Sequence, residues 1–153
     1  MKIDETDLKI LSLLQQDGRL SNAEIAEQVA LSPSPCLRRL RRLEDEKVIE
    51  GYRPLLNRQH IGMGMTVFVQ IKLQDHSSDS VNGFEQAVQE MTAVVSASTV
   101  SGSADYLLEV VTRDLEDYDL LVRQLQSLDM VREIESNFAL RSVKRGAPLP
   151  LKL

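Results

Sequence analysis

The sequence predicts an α+β protein: an N-terminal helix-turn-helix domain, winged-helix-like, followed by a C-terminal ferredoxin-like βαββαβ domain. Three observations predict it. The apolar period is helical up to about residue 50 and becomes strict alternation at Thr66. Arg38, Arg39, Arg41 and Arg42 crowd onto the last of three short helical segments. Beyond residue 65, strand-like and helix-like segments follow in the order β-α-β-β-α-β. The domains are placed at 1–50 (helix-turn-helix), 51–64 (extended connector or hinge) and 65–153 (ferredoxin-like).

Asp4 to Gln16 reads as a helix. Leu8, Ile10, Leu11 and Leu14 recur at helical spacing, and acids occupy the first turn, where the dipole favours them. Gly18 supplies a C-terminal stop. Ser21-Asn22-Ala23-Glu24 fits the S-x-x-E capping box, so a second helix starts after Ser21, buries Ile25 and Val29 and ends near Ala30. A third helix opens at Ser32-Pro33-Ser34-Pro35. Either Ser32 or Ser34 caps it, and both prolines fall in the first turn, where a missing N–H costs no intrahelical bond.

On that third helix Leu37, Leu40 and Leu43 fall along one stripe. Ser34, Pro35, Arg38 and Arg42 lie opposite, with Arg39 and Arg41 on the flanks. Like charges at i, i+4 repel, so Arg38 with Arg42 weakens an isolated helix by roughly a few tenths of a kcal/mol. A chain that accepts this cost has an anion for the face to meet. Guanidinium forks bind guanine O6/N7 or phosphate in bidentate fashion, and the small Ser34 and Pro35 allow close approach to a groove floor. The partner predicted is double-stranded DNA. A merely solvated charged face is the plain alternative, although such faces usually mix signs.

Val48 to Leu56, with β-type residues and Pro54, reads as an extended connector or an edge strand, and Asn57 to Gly64 as the domain boundary. Thr66 to Leu73 alternates, with Val67, Val69, Ile71 and Leu73 on one side. Ser78 to Met91 is a helix with Val81, Phe84, Val88 and Met91 on one stripe. Val94 to Ser101 is a strand, and Gly102-Ser103-Ala104-Asp105 turns into a further strand from Tyr106 to Thr112. Leu115, Tyr118, Leu121, Val122 and Leu125 mark another helix, and Ile134 to Val143 is the closing strand. Two helices cover one face of such a sheet. The other face, carrying apolar residues from Val94-Val95 and Leu107-Leu108, requires a second copy, so a homodimer is expected; its symmetry would present two DNA heads to two half-sites.

The chain has 153 residues and a net charge of −5, which at first sight argues against nucleic acid. Residues 1–60 hold ten Lys or Arg against ten Asp or Glu, whereas 61–153 hold eight against thirteen, so the deficit belongs to the second domain alone. The start carries no apolar leader and no run suits a membrane span, so a cytoplasmic protein without a membrane partner is expected. Cys36 is the single cysteine; it reads as a packed small hydrophobe, the alternative being a thiol activated by the helix N-terminus and nearby arginines. His60 and His76 form no zinc-ligand spacing, and no phosphate loop or nucleophile motif stands out, so no metal, no cofactor and no enzyme activity are expected.

Asp7-x-x-Ile10-Leu11 followed by LSNAEIAEQVALSPSPCLRRLRRLEDEKVIEGYRPLLN closely resembles the DNA-binding region of the Lrp/AsnC (feast/famine) family of transcription regulators. SPSPCLRRLRRLE is its most specific part. The family usually has glycine where this chain has Lys47, so the end of the recognition helix is expected to be strained or shifted. Val100-Ser101-Gly102-Ser103-Ala104-Asp105-Tyr106 matches the family's G-x-x-D-Y element, which extends the resemblance over nearly the whole chain. The resemblance implies a sequence-specific regulator answering to a small amino acid such as leucine or methionine. It also implies that the effector binds near this loop, between dimers of a larger assembly, often an octamer. DNA contacts are then expected from Ser32, Ser34, Pro35, Arg38, Arg39, Arg41 and Arg42. Effector contacts are expected from Gly102, Ser103, Ala104, Asp105 and Tyr106, with Ser136 and Asn137 if the last strand lies beside the loop. The turn's N–H groups suit a carboxylate and Asp105 an α-ammonium, although Asp105 capping its own turn is the simpler structural reading. The alternative function is a stand-alone amino-acid-binding oligomeric module without DNA activity.

Overall fold

The computed structural model describes residues 2–151. The chain divides into two compact units, Met1–Leu55 with Lys144–Leu153, and Leu56–Val143.

In the first unit, α1 spans Glu5–Gln16, α2 Asn22–Gln28 and α3 Pro33–Asp45. Reciprocal capping boxes start α1 (Asp4 with Asp7) and α2 (Ser21 with Glu24), each satisfying two backbone N–H groups that the helix leaves orphaned. Ile10, Ile25, Ala26, Cys36 and Leu43 form the core, with Leu14, Leu20, Leu31 and Leu40 packed around it. Gly18 does not close α1, contrary to the expectation. Asp17 is the C-cap in an extended conformation, and its carboxylate accepts the Arg19 N–H, so an aspartate turn replaces the left-handed glycine.

Both later helices end in Schellman motifs built on residues other than glycine. After α2, Ala30 has φ +55°; its N–H reaches Glu27 O, and the Leu31 N–H reaches Ala26 O at 2.9 Å. After α3, Lys47 has φ +57°; its N–H reaches Glu44 O at 3.0 Å and the Val48 N–H reaches Leu43 O at 2.9 Å. Of the two outcomes expected at Lys47, strain is realised and displacement is not. Val48–Leu56 joins no strand ladder; Tyr52 within it donates its hydroxyl to Glu44. Residues 144–151 pack with this unit and not with the sheet.

In the second unit β1 (Met65–Leu73), α4 (Ser78–Glu90), β2 (Val94–Thr99), β3 (Tyr106–Thr112), α5 (Leu115–Gln126) and β4 (Val131–Phe138) build an antiparallel sheet of order β2-β3-β1-β4. Val67, Val69, Ile71 and Leu73 of β1 meet Leu108 and Val110 of β3, Phe84 and Val88 of α4, and Tyr118, Leu121 and Leu125 of α5 in one core. The opposite face carries Phe68 and Leu107, 41% and 37% exposed, among Gln70, Lys72, Glu109 and Asn137. The last strand lies earlier than Ile134 to Val143. Its sole ladder partner is β1, whose pairing runs from Val67↔Phe138 to Leu73↔Val131, so chain beyond Phe138 has no strand left to bond except one N–H, from Ala139 to Thr66 O.

Candidate functional site

The packed side of α3 is Cys36, Leu40 and Leu43, not the Leu37 stripe; counting Cys36 as apolar turns the helix so that Leu37 faces outward, 36% exposed. The outward side then holds Ser34, Leu37, Arg38, Arg41, Arg42 and Asp45, which line one shallow groove. Ser32 is the N-cap position, yet its hydroxyl makes no capping bond. Pro35 at the third helical position has removed the N–H that such a hydroxyl usually accepts from. Asn22 instead ties the helix start to α2 through its amide, which donates to Pro33 O at 2.9 Å.

The four arginines divide into two pairs, which corrects the single cationic face expected for them. Arg39 Nη1 donates to Asp4 Oδ2 at 2.6 Å and Asp7 Oδ1 at 2.9 Å, and Arg42 Nη2 to Asp7 Oδ2 at 2.6 Å. Asp7 is fully buried, so its carboxylate is uncompensated without these guanidinium groups. Arg39 and Arg42 therefore fasten α3 to the N-terminus of α1. The Asp4 carboxyl is held below its usual range by the Asp7 N–H and then by Arg39. Arg38 and Arg41 are exposed, enter no salt bridge among the described residues, and share the outward face with Ser34. Asp4 and Asp7 escaped the sequence reading as partners of α3. The signal was there: Asp7 stands three residues before Ile10, on the buried side of α1, where a carboxylate demands a cation.

Cys36 is fully buried, and burial raises its thiol above the ordinary value despite Arg39 nearby. That excludes the activated-thiol alternative.

The second candidate is the turn between β2 and β3. Gly102 has φ +117°, open to glycine and strained for other residues. Asp105 is committed on both oxygens: Oδ2 accepts the Leu73 N–H at 2.8 Å and Oδ1 meets His76 Nε2 at 2.9 Å. His76 and then the Leu73 N–H hold this carboxyl below its usual range. Asp105 thus clamps the turn onto the end of β1. Tyr106 points inward: its ring packs on Phe84 at 4.6 Å and its hydroxyl donates to Glu85. Burial and then Glu85 push its pKa up to about 12. Ser136 and Asn137 do not join the loop within one chain. β4 lies at the far edge, with β1 between it and β3; Ser136 bonds the Tyr118 hydroxyl on the helix side, and Asn137 faces the open side opposite Phe68. Among the described residues, no group of three or more His, Cys, Asp or Glu is arranged to hold a metal ion, and no helix is long and apolar enough to cross a membrane.

Two family models match this arrangement: a winged helix-turn-helix DNA-binding model over residues 3–50, and the Lrp/AsnC ligand binding domain over residues 66–149. The chain belongs to the Lrp/AsnC family. Relatives of this Lrp/AsnC chain include the Bkd operon transcriptional regulator of Pseudomonas aeruginosa, 42% identical, with 96% of this chain and 97% of that protein covered. The DNA-binding transcriptional activator DecR of Escherichia coli is 39% identical, with 98% and 99% covered. Among solved structures, a transcriptional regulator from Neisseria meningitidis in complex with L-methionine superposes with a TM-score of 0.91 at 36% identity, covering 97% of each chain. The Lrp/AsnC chain is accordingly a transcription regulator with a DNA-binding helix-turn-helix and a domain of the amino-acid-binding class.

Proposed function

We propose that α3 enters the major groove with Ser34, Arg38 and Arg41 foremost, Ser32 and Pro35 at its leading end, and that Arg39 and Arg42 hold its angle instead of touching DNA. One observation carries this reading: of four adjacent arginines, two are anchored to Asp4 and Asp7 and two are left facing solvent beside a small serine. A free pair three residues apart on one helix face suits bidentate contact with guanine or with flanking phosphates. Arg38→Ala with Arg41→Ala is expected to abolish preference for a duplex selected by the wild-type protein, with the melting temperature unchanged. Retained preference would refute the assignment.

The ligand is a small amino acid. The Neisseria relative's L-methionine complex supports that class, as does the matched ligand-binding domain. Its carboxylate meets backbone N–H groups of Gly102, Ser103 and Ala104, in a turn that Asp105 and Tyr106 hold from beneath. With Ser136 and Asn137 at the other edge of the sheet, they reach such a site only from another copy of the chain. A homodimer formed over the Phe68–Leu107 face, and association of dimers up to an octamer, fits that requirement. As a regulator of transcription it would act in the cytoplasm and carry out no chemistry of its own. A thermal-shift screen of amino acids identifies the ligand, since binding to the folded state raises its apparent stability; light scattering with and without the best ligand tests the assembly.

A further inference from the structure

Residues 139–153 carry Arg141, Lys144, Arg145 and Lys152 without a single acid, in a chain of net charge −5. From Lys144 to Leu151 this segment belongs with the helix-turn-helix unit, whereas 139–143 still belong with the acidic sheet unit. Two contacts dock it there. The Gln15 amide brackets the backbone of Leu149, Oε1 accepting its N–H at 2.5 Å and Nε2 donating to its carbonyl at 3.3 Å. Gly146, at φ +60°, lies so close over Leu55 that an added β-carbon would stand 3.4 Å from Leu55 Cδ2. Pro148 and Pro150 stiffen the strap between and beyond these points. Lys144 and Arg145 thus immediately precede the contact with Leu55, which itself follows Arg53 by two residues. All three cations are exposed.

We propose that this C-terminal strap is a second DNA-contacting element, in which Lys144 and Arg145, with Arg53, grip phosphates alongside the groove that α3 reads. The inference rests on the DNA-binding reading of α3. Its physical basis is that a docked polycation on a DNA-binding unit contributes sequence-independent affinity through counterion release. A floating tail would lose part of that gain to the entropy of ordering. Gln15 and Leu55 hold the strap against the surface before DNA arrives, so less of that gain is lost.

The test uses the full-length protein and two duplexes of equal length, one selected by the wild type and one random, titrated across salt by fluorescence anisotropy. Each phosphate contact contributes about 0.9 to the slope of log K against log salt, so losing two per subunit in a dimer flattens it by about 3.6. K144A/R145A is expected to show that flattening and to weaken both duplexes by the same factor, about tenfold or more at low salt. Q15A keeps every charge but releases the strap, and is expected to weaken both duplexes equally and by less. A wild-type slope in K144A/R145A overturns the proposal, as does a loss confined to the selected duplex or a change in assembly without a change in DNA affinity. Should R38A/R41A bind both duplexes like wild type, it is the reading of α3 that fails; should it lose preference while K144A/R145A keeps the wild-type slope, only the strap does.

Discussion

Replacing Lys47 by glycine is expected to stabilise the DNA-binding unit. Lys47 sits at φ +57° in the turn that ends α3, with both Schellman bonds formed at 2.9–3.0 Å. For a residue with a β-carbon the left-handed conformation costs about 1–2 kcal/mol, a cost glycine does not bear. Against this, glycine loses roughly 0.5–1 kcal/mol more conformational freedom on folding. The side chain is exposed and enters no salt bridge among the described residues, so little packing is forfeited. The net gain is about 0.5–1 kcal/mol, which in a unit of this size raises the melting temperature by roughly 2–8 °C. Differential scanning calorimetry of full-length K47G reads the shift directly. Ala30→Gly, at φ +55° in the matching turn after α2, gives an independent second measurement. The two turns use separate carbonyls, Ala26 and Glu27 against Leu43 and Glu44, so the gains are expected to add. A melting temperature unchanged or lowered in both variants would refute the strain argument.

Asp7→Asn is expected to cost roughly 2–3 kcal/mol in urea unfolding, less than a fully buried pair because both guanidinium groups reach water; an unchanged midpoint would mean that Arg39 and Arg42 do not fasten α3. The Asp105 carboxyl is depressed by His76 and the Leu73 N–H, so its contribution to stability is present above the ordinary carboxylate range and disappears as pH falls through the lowered value. Asp105→Asn should therefore flatten the acid limb of the stability profile, and an identical limb in the variant would contradict the clamp. Tyrosinate absorbance from Tyr106 is expected only near pH 12 while the chain stays folded, because burial and Glu85 raise it; ionisation at the ordinary value would show it solvated. Cys36 should resist alkylation until the first unit opens, and rapid labelling of native protein would place it outside the core.

Local rules carried most of the fold. The period-2 run of β1 named its buried face residue by residue, and the capping box at Ser21 located α2, because both signals depend on neighbours along the chain. What failed depended on neighbours across it. The length of β4 is set by where β1 begins, which no pattern within Val131–Phe138 reveals. The division of the arginines is set by Asp4 and Asp7, more than thirty residues earlier. Leu37 was misplaced for a smaller reason: with Cys36 in its place in the apolar count, the packed side centres about 30° further round and leaves Leu37 roughly 90° from it. Asp105 illustrates a residue whose type was read correctly and whose partners were not, since the end of β1 and His76 just after it lie about thirty residues earlier.

The internal use of Arg39 and Arg42 also bears on how such a protein travels along a chromosome. Every cation withheld from the phosphate backbone lessens adhesion to arbitrary sequence by the same electrostatic rule that would have strengthened it at the correct one. With base contact resting on Arg38 and Arg41, as proposed above, contacts that discriminate between bases would be untouched by this withholding. A regulator with half of its arginine row occupied at home therefore lets go of wrong sites sooner, and a larger part of its remaining hold comes from what the sequence says.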